Sequence, residues 1–168
     1  MTLDDITKRG IDPAFLLLPV AMDSPQARVM MLAIGLQESR FVYRFQKVAG
    51  NPYIKGPAKS YWQMERGGGV LGVLTHTSSK FHAQNVCKAR GVEPTSPAVW
   101  NAIEDDDVLA AAFARLLLWT DTLRLPRLGD AAGGWDLYLR TWRPGKPHPE
   151  TWPAFYAQAL KFVMEKEL

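Results

Sequence analysis

Ser24-Pro25-Gln26-Ala27-Arg28-Val29-Met30-Met31-Leu32-Ala33-Ile34-Gly35-Leu36-Gln37-Glu38-Ser39-Arg40 is the stretch on which the reading of this chain turns. Ser24 suits an N-cap, and Pro25 suits the first helical position, where a missing N–H costs nothing. Val29, Leu32, Ala33 and Leu36 recur at helical spacing, while Met30, Met31 and Ile34 widen the apolar surface, so a helix is predicted over 25–40. A helix apolar on nearly every side is a buried one. Glu38 falls in its last turn, where the macrodipole disfavours a carboxylate by ~0.3–1 kcal/mol. Partial burial raises such a carboxyl's pKa further, and Arg40 nearby lowers it. A carboxyl still protonated near neutral pH is what a general acid on glycosidic bonds requires. The plain alternative is a solvated glutamate at a helix end.

Outward from this helix the pattern stays helical. Thr2-Leu3-Asp4-Asp5 starts a short amphipathic helix, and Asp12-Pro13 starts another through Leu18, stopped by Pro19. Residues 41–60 read as an irregular loop or a small hairpin around Val42–Phe45 and Tyr53–Lys55. After the Gly67-Gly68-Gly69 turn, helices are predicted at 70–74, from a Thr77-Ser78 cap to Arg90, at 98–104 and at 107–120. Two more follow, over 135–142 and 153–166, the last with Phe155, Ala159, Phe162 and Val163 inward. The expected fold class is all-α, in one domain over 1–168, with one irregular loop or small hairpin region after the Glu-bearing helix.

Composition excludes several classes. The 168 residues are 47% hydrophobic and 22% charged, which fits one globular domain with a full core. Residues 1–10 carry Asp4, Asp5, Lys8 and Arg9 and lack the apolar run of a signal peptide. No stretch reaches the ~20 apolar residues of a membrane span. Cys87 stands alone, so no internal disulfide forms and a reducing compartment is expected. His76, His82 and His148 lack metal-ligand spacing, so neither a metal nor another cofactor is expected. Arg40, Arg44, Lys47, Lys55 and Lys59 fall in a stretch without any Asp or Glu. It reads either as a basic wall for an anionic polymer or as a solvated loop. Nucleic acid is the least favoured partner, since no recognition motif accompanies these charges.

Glu38-Ser39, then Ala58-Lys59-Ser60-Tyr61-Trp62-Gln63, then the apolar helix from Asp107, occur in an order that resembles the lysozyme superfamily. The likeness is to its lytic transglycosylase (soluble-lytic-type) and goose-type lysozyme branch, over roughly 28–145. That family carries Glu-Ser at the end of a buried helix, a Gly-Ala-x-Gly-Leu-Met/Trp-Gln box, an Ala/Leu-rich helix and a Tyr-Asn-x-Gly turn. Here Ser60 stands where the second Gly of the box belongs, and Trp142-Arg143-Pro144-Gly145 stands at the turn with only its Gly kept. Trp142 has no hydroxyl to replace the family Tyr, and Arg143 is positioned to pair with Glu38 and lower its pKa.

The resemblance implies a lysozyme-like fold and peptidoglycan cleavage with Glu38 as the catalytic residue. Ser39, Ser60, Trp62, Gln63, Trp142 and Arg143 would bind substrate. A two-carboxylate hydrolase needs a second Asp or Glu about 5–9.5 Å away, and 41–60 contains none. Lytic transglycosylases need one Glu, which protonates the MurNAc–GlcNAc glycosidic oxygen and then deprotonates the sugar's own 6-hydroxyl. The chain also resembles short muralytic proteins of phages. On that reading it is made in the bacterial cytoplasm without a signal peptide and reaches the cell wall through a holin or within a virion. The competing class is a non-catalytic virion component or a glycan- or protein-binding module.

Overall fold

The computed structural model describes residues 1–166. Helix α1 (Leu3–Ile6) opens with a capping box between Thr2 and Asp5. It continues through a π-type turn, Thr7–Ile11, directly into α2 (Asp12–Leu16). The sequence predicts two separate helices here, but Ile11 and Asp12 both remain right-handed helical. Pro13 removes one backbone donor, and a widened turn before it lets the helix run on.

Helix α3 (Pro25–Ser39) has the expected Ser24 cap, whose hydroxyl accepts from the Ala27 N–H at 3.1 Å. Its residues from Val29 to Leu36 are all buried. Beyond Ser39 the chain leaves the helix through two left-handed residues, Arg40 and Phe41, both with φ 54°.

The segment after α3 corrects the all-α expectation. Strands β1 (Phe45–Val48), β2 (Asn51–Lys59) and β3 (Met64–Glu65) form an antiparallel sheet in the order β1-β2-β3. The fold is therefore mixed α/β, though mostly helical. Pro52, Gly56 and Pro57 are poor strand residues, so the sequence reads 41–60 as an irregular loop or a small hairpin around Val42–Phe45 and Tyr53–Lys55. Strand β1 lies later in the chain than its hairpin arm, and β2 extends beyond its own. Pairing Val48 with Asn51 closes a two-residue turn in which Gly50 takes φ 84°, and this short link lets the segment pair. The register shifts twice along β1, which absorbs the irregular residues.

Beyond a second π-type turn, Arg66–Val70, lie α4 (Leu71–Thr75), α5 (Lys80–Arg90), α6 (Ser96–Ala102) and α7 (Asp107–Trp119). Gly91 ends α5 in the left-handed region, as the sequence predicts. Asp106 caps α7 by accepting from the Val108 and Leu109 N–H groups. Every residue from Leu109 to Leu118 is buried, because α7 is packed by α2, α3, α4, α5, α8 and the first π-type turn.

Helix α8 (Ala131–Trp142) begins four residues before its predicted start, since Asp130 accepts from the Gly133 N–H at 2.8 Å. Helix α9 (Trp152–Lys166) packs on α3 with Trp152, Tyr156, Ala159 and Val163 buried. Phe155 and Phe162 are half-buried, so the inward face is rotated from the predicted one. Among the described residues no helix is long and apolar enough to cross a membrane.

Candidate functional site

Glu38 sits half-buried in the last turn of α3, and its Oε1 accepts a 2.6 Å hydrogen bond from the Tyr138 hydroxyl on α8. Burial pushes its carboxyl up to about 7, against the smaller downward pull of the Tyr138 bond. Removal from water disfavours the charged form, and a hydroxyl donor favours it. The expected lowering by cations has no counterpart here. Arg40 turns its guanidinium over the Phe155 ring, 5.8 Å from the centroid. Arg143 is exposed, and its Nε donates to the Arg140 carbonyl at its own helix end.

Tyr138 is the residue the sequence reading missed. It lies one helical turn before Trp142, on the same face of α8. Aromatic rings fix it in place. Tyr138 stacks on Trp152 at 5.5 Å and 13°, and Trp135 lies 5.2 Å away. Burial first, and then the Glu38 charge, push its phenol pKa up, so it stays a donor at every ordinary pH. Tyr138→Phe is expected to raise the Glu38 pKa above 7 and to slow any acid–base chemistry about tenfold, the scale of one charge-assisted hydrogen bond. Carboxyl titration by carbon NMR checks the first effect, and a pH–rate profile checks the second.

The remaining named residues build the frame. Ser39 is buried. Its hydroxyl bonds the Tyr61 carbonyl at 2.6 Å and accepts from the Phe41 N–H at 3.1 Å, stitching the helix end to the Tyr61-Trp62 segment. Ser60 is buried with φ 69°, a left-handed backbone that favours glycine. Its hydroxyl accepts from the Trp62 N–H. Trp62 is wholly buried and donates from Nε1 to the Met31 carbonyl at 2.8 Å, so it braces α3 and offers no ring face to a ligand. Gln63 is half-buried with φ 50° and donates to the Ser60 carbonyl. Half-buried Trp142 donates from Nε1 to the Trp62 carbonyl at 2.8 Å, and its ring lies 6.5 Å from Tyr138. Glu38, Tyr138, Trp142 and the Trp62-Gln63 segment thus form one connected set.

The turn between Ser39 and the sheet depends on Gly35. A Cβ there would lie 2.1 Å from Cζ of Phe41, whose ring packs edge-on against Tyr61 and Trp62. Gly35→Ala gains about 1 kcal/mol of helix propensity. It also displaces a wholly buried Phe, a loss on the scale of about 3–5 kcal/mol. A net destabilisation of about 2 kcal/mol or more is expected in urea denaturation.

The basic segment does not form a free wall. Arg44 grips buried Asp107 with two nitrogens, at 2.7 and 3.0 Å, and lies over the Tyr61 ring. Lys55 and Lys59 both pair with Glu104, and Lys59 also covers the Trp100 ring. Among the described residues Arg40 and Lys47 are the two of the five without a carboxylate partner. Buried Cys87 has its thiol pushed up to about 11, far from a reactive thiolate. No three His, Cys, Asp or Glu side chains cluster as a metal site among the described residues. Gln37 donates to the His148 carbonyl and accepts from the Thr151 hydroxyl, fastening the loop before α9 beside Glu38.

Comparison with protein-family models, with curated proteins and with solved structures gives no match. The functional reading therefore rests on the geometry around Glu38 and on the motif order in the sequence.

Proposed function

We propose that this chain cleaves peptidoglycan as a lytic transglycosylase-like enzyme with Glu38 as its single acid–base residue. The observation that carries the reading is the Glu38 carboxyl, pushed up to about 7 and held by Tyr138 at 2.6 Å. At neutral pH such a group is present in both protonation states, which suits a residue that must first give and then take a proton. Glu38 donates its proton to the glycosidic oxygen between MurNAc and GlcNAc, and the C1–O bond breaks with its electron pair going to that oxygen. The resulting carboxylate is stabilised by the Tyr138 hydroxyl. It then takes the proton from the MurNAc 6-hydroxyl, and O6 bonds to C1 to close a 1,6-anhydro ring. Burial and Tyr138 are the two influences on Glu38, with no carboxylate neighbour acting on it among the described residues, which favours this route over a two-carboxylate hydrolase.

Mass analysis of purified peptidoglycan after incubation tests the proposal. Anhydro-muropeptides are the expected product. Reducing-end muropeptides would replace it with hydrolysis, and unchanged sacculi would leave the non-catalytic module as the reading. A phage origin, with delivery by a holin or in a virion, belongs to the same proposal and rests on the resemblance to short muralytic proteins of phages.

A further inference from the structure

We propose that the tip of the β1–β2 hairpin docks end-on onto an anionic lipid surface, with Val48, Tyr53 and Ile54 entering the headgroup layer and Lys47 and Lys55 meeting the lipid phosphates. The tip, Val48-Ala49-Gly50-Asn51-Pro52-Tyr53-Ile54, carries no charged residue. Tyr53 is 92% exposed, Ile54 52% and Val48 39%, so three large apolar side chains stand in water on one short turn. Moving such side chains out of water is favourable, and the fold itself leaves them there. Tyrosine suits a membrane–water boundary, where its ring lies in the apolar layer and its hydroxyl stays wet.

The charges below the tip set the sign of the surface. Lys47 and Lys55 stand directly opposite each other across the strands. Like charges in that position destabilise a hairpin, and an anionic surface relieves the repulsion. The fold supplies too few acids to do so. Lys55 and Lys59 share Glu104, and Lys47 has no carboxylate partner among the described residues. Three cations against one carboxylate leave a positive surplus on the hairpin.

The same contacts disfavour a nucleic acid. Single strands bind by stacking bases on open aromatic faces. Here the Lys47 ammonium lies over the Tyr43 ring at 3.8 Å, and the Lys55 ammonium lies over Phe45 at 4.7 Å. Val48 and Ile54 add nothing to phosphodiester recognition, whereas in a lipid interface they add buried apolar area. Tyr53 lies about 20 Å along β2 from Lys59, at ~3.3 Å per residue. The Lys59 end is the one joined to the Ser39–Tyr61 contact at the end of α3. The docking tip is thus separate from Glu38, and the proposal is independent of the catalytic one.

Sedimentation of the full chain with phosphatidylglycerol vesicles, and with phosphatidylcholine vesicles, tests it. Binding to the first is expected to be stronger by about tenfold or more and to fall as salt is raised. Tyr53→Ser combined with Ile54→Ser is expected to weaken it by about tenfold or more. Lys47→Gln is expected to weaken it about fivefold, the scale of one lysine at an anionic surface. A polarity-sensitive dye on Ile54→Cys, which is open to labelling while Cys87 is buried, is expected to shift to the blue on adding vesicles. If the double serine variant loses its fold, the dye and Lys47→Gln decide. No sedimentation with phosphatidylglycerol, equal binding to both lipids, or parental binding by the folded double variant would each overturn the proposal. So would an unshifted dye, which means adsorption without entry. Capture of a single-stranded oligonucleotide or of polyglutamate in place of the vesicles would overturn it too.

Discussion

Glu38→Gln is expected to abolish the proposed glycan cleavage while raising stability above neutral pH. Gln fills nearly the same space and its carbonyl still accepts from Tyr138, but it has no proton to give. The loss in rate is expected to be at least the ~10²–10⁴-fold typical of general acid–base catalysis. The stability change has a definite pH dependence. Folding raises the Glu38 carboxyl from its ordinary 4.5 to about 7, so the folded state favours the protonated form. That stability is fully present below pH 4.5 and is lost as the pH rises through 7, after which both states are ionised and the curve flattens. Gln does not titrate, so the variant lacks this decline. Parent and variant are expected to be alike near pH 4 and to differ by on the order of 3 kcal/mol at pH 8, at about 1.4 kcal/mol per pKa unit. Urea denaturation at the two pH values measures the difference, and release of anhydro-muropeptides measures the activity. Retained cleavage would remove Glu38 from the acid's role. Equal stabilities at pH 8 would show that its carboxyl titrates near the ordinary value.

The contrast between α3 and the sheet shows what could be read before folding. The α3 signals are local: a Ser-Pro start, an unbroken apolar run and a polar end at Gln37-Glu38-Ser39. The α7 signals are of the same kind, from the Asp106 cap onward. The sheet is legible only as the small hairpin around Val42–Phe45 and Tyr53–Lys55, because its strands hold Pro52, Gly56 and Pro57 and its register slips. Pairing there is decided by partners across the hairpin and not by propensity. The site divides in the same way. Glu38 is marked by its own helix, whereas Tyr138 reaches it across 100 positions of sequence. Only the packing of α8 against the end of α3 reveals that hydroxyl. The helical spacing of Tyr138 and Trp142 was the available clue, and it needed the knowledge of which face turned inward. Charge was the least legible of all, since a run of cations without acids says nothing about acids arriving from elsewhere.

Arg44→Glu is expected to destabilise the fold by about 3–5 kcal/mol, the scale of breaking a buried ion pair by removing one partner. From sequence alone Arg44 belongs to an exposed basic wall, and reversing such a charge would cost little. The structure places its guanidinium over Tyr61, 4.5 Å from the ring centroid, with two nitrogens on Asp107 and one also on the Glu104 carbonyl. Asp107 is the first residue of α7, the helix around which the core is packed, and it is buried. A glutamate at position 44 would strand that carboxylate and set a second beside it, with Arg9, 3.9 Å away and largely exposed, as the remaining cation. Lys47→Glu is the matched control. Lys47 is exposed on β1 and lies over the Tyr43 ring, so its reversal is expected to change stability by less than about 1 kcal/mol. Denaturant titrations of the two single variants separate the cases. Equal, small effects would mean that Arg44 is as free as Lys47. A large loss confined to Arg44→Glu would assign it to holding the sheet against the start of α7, and would leave Arg40 and Lys47 as the charges of this segment available to an anionic glycan.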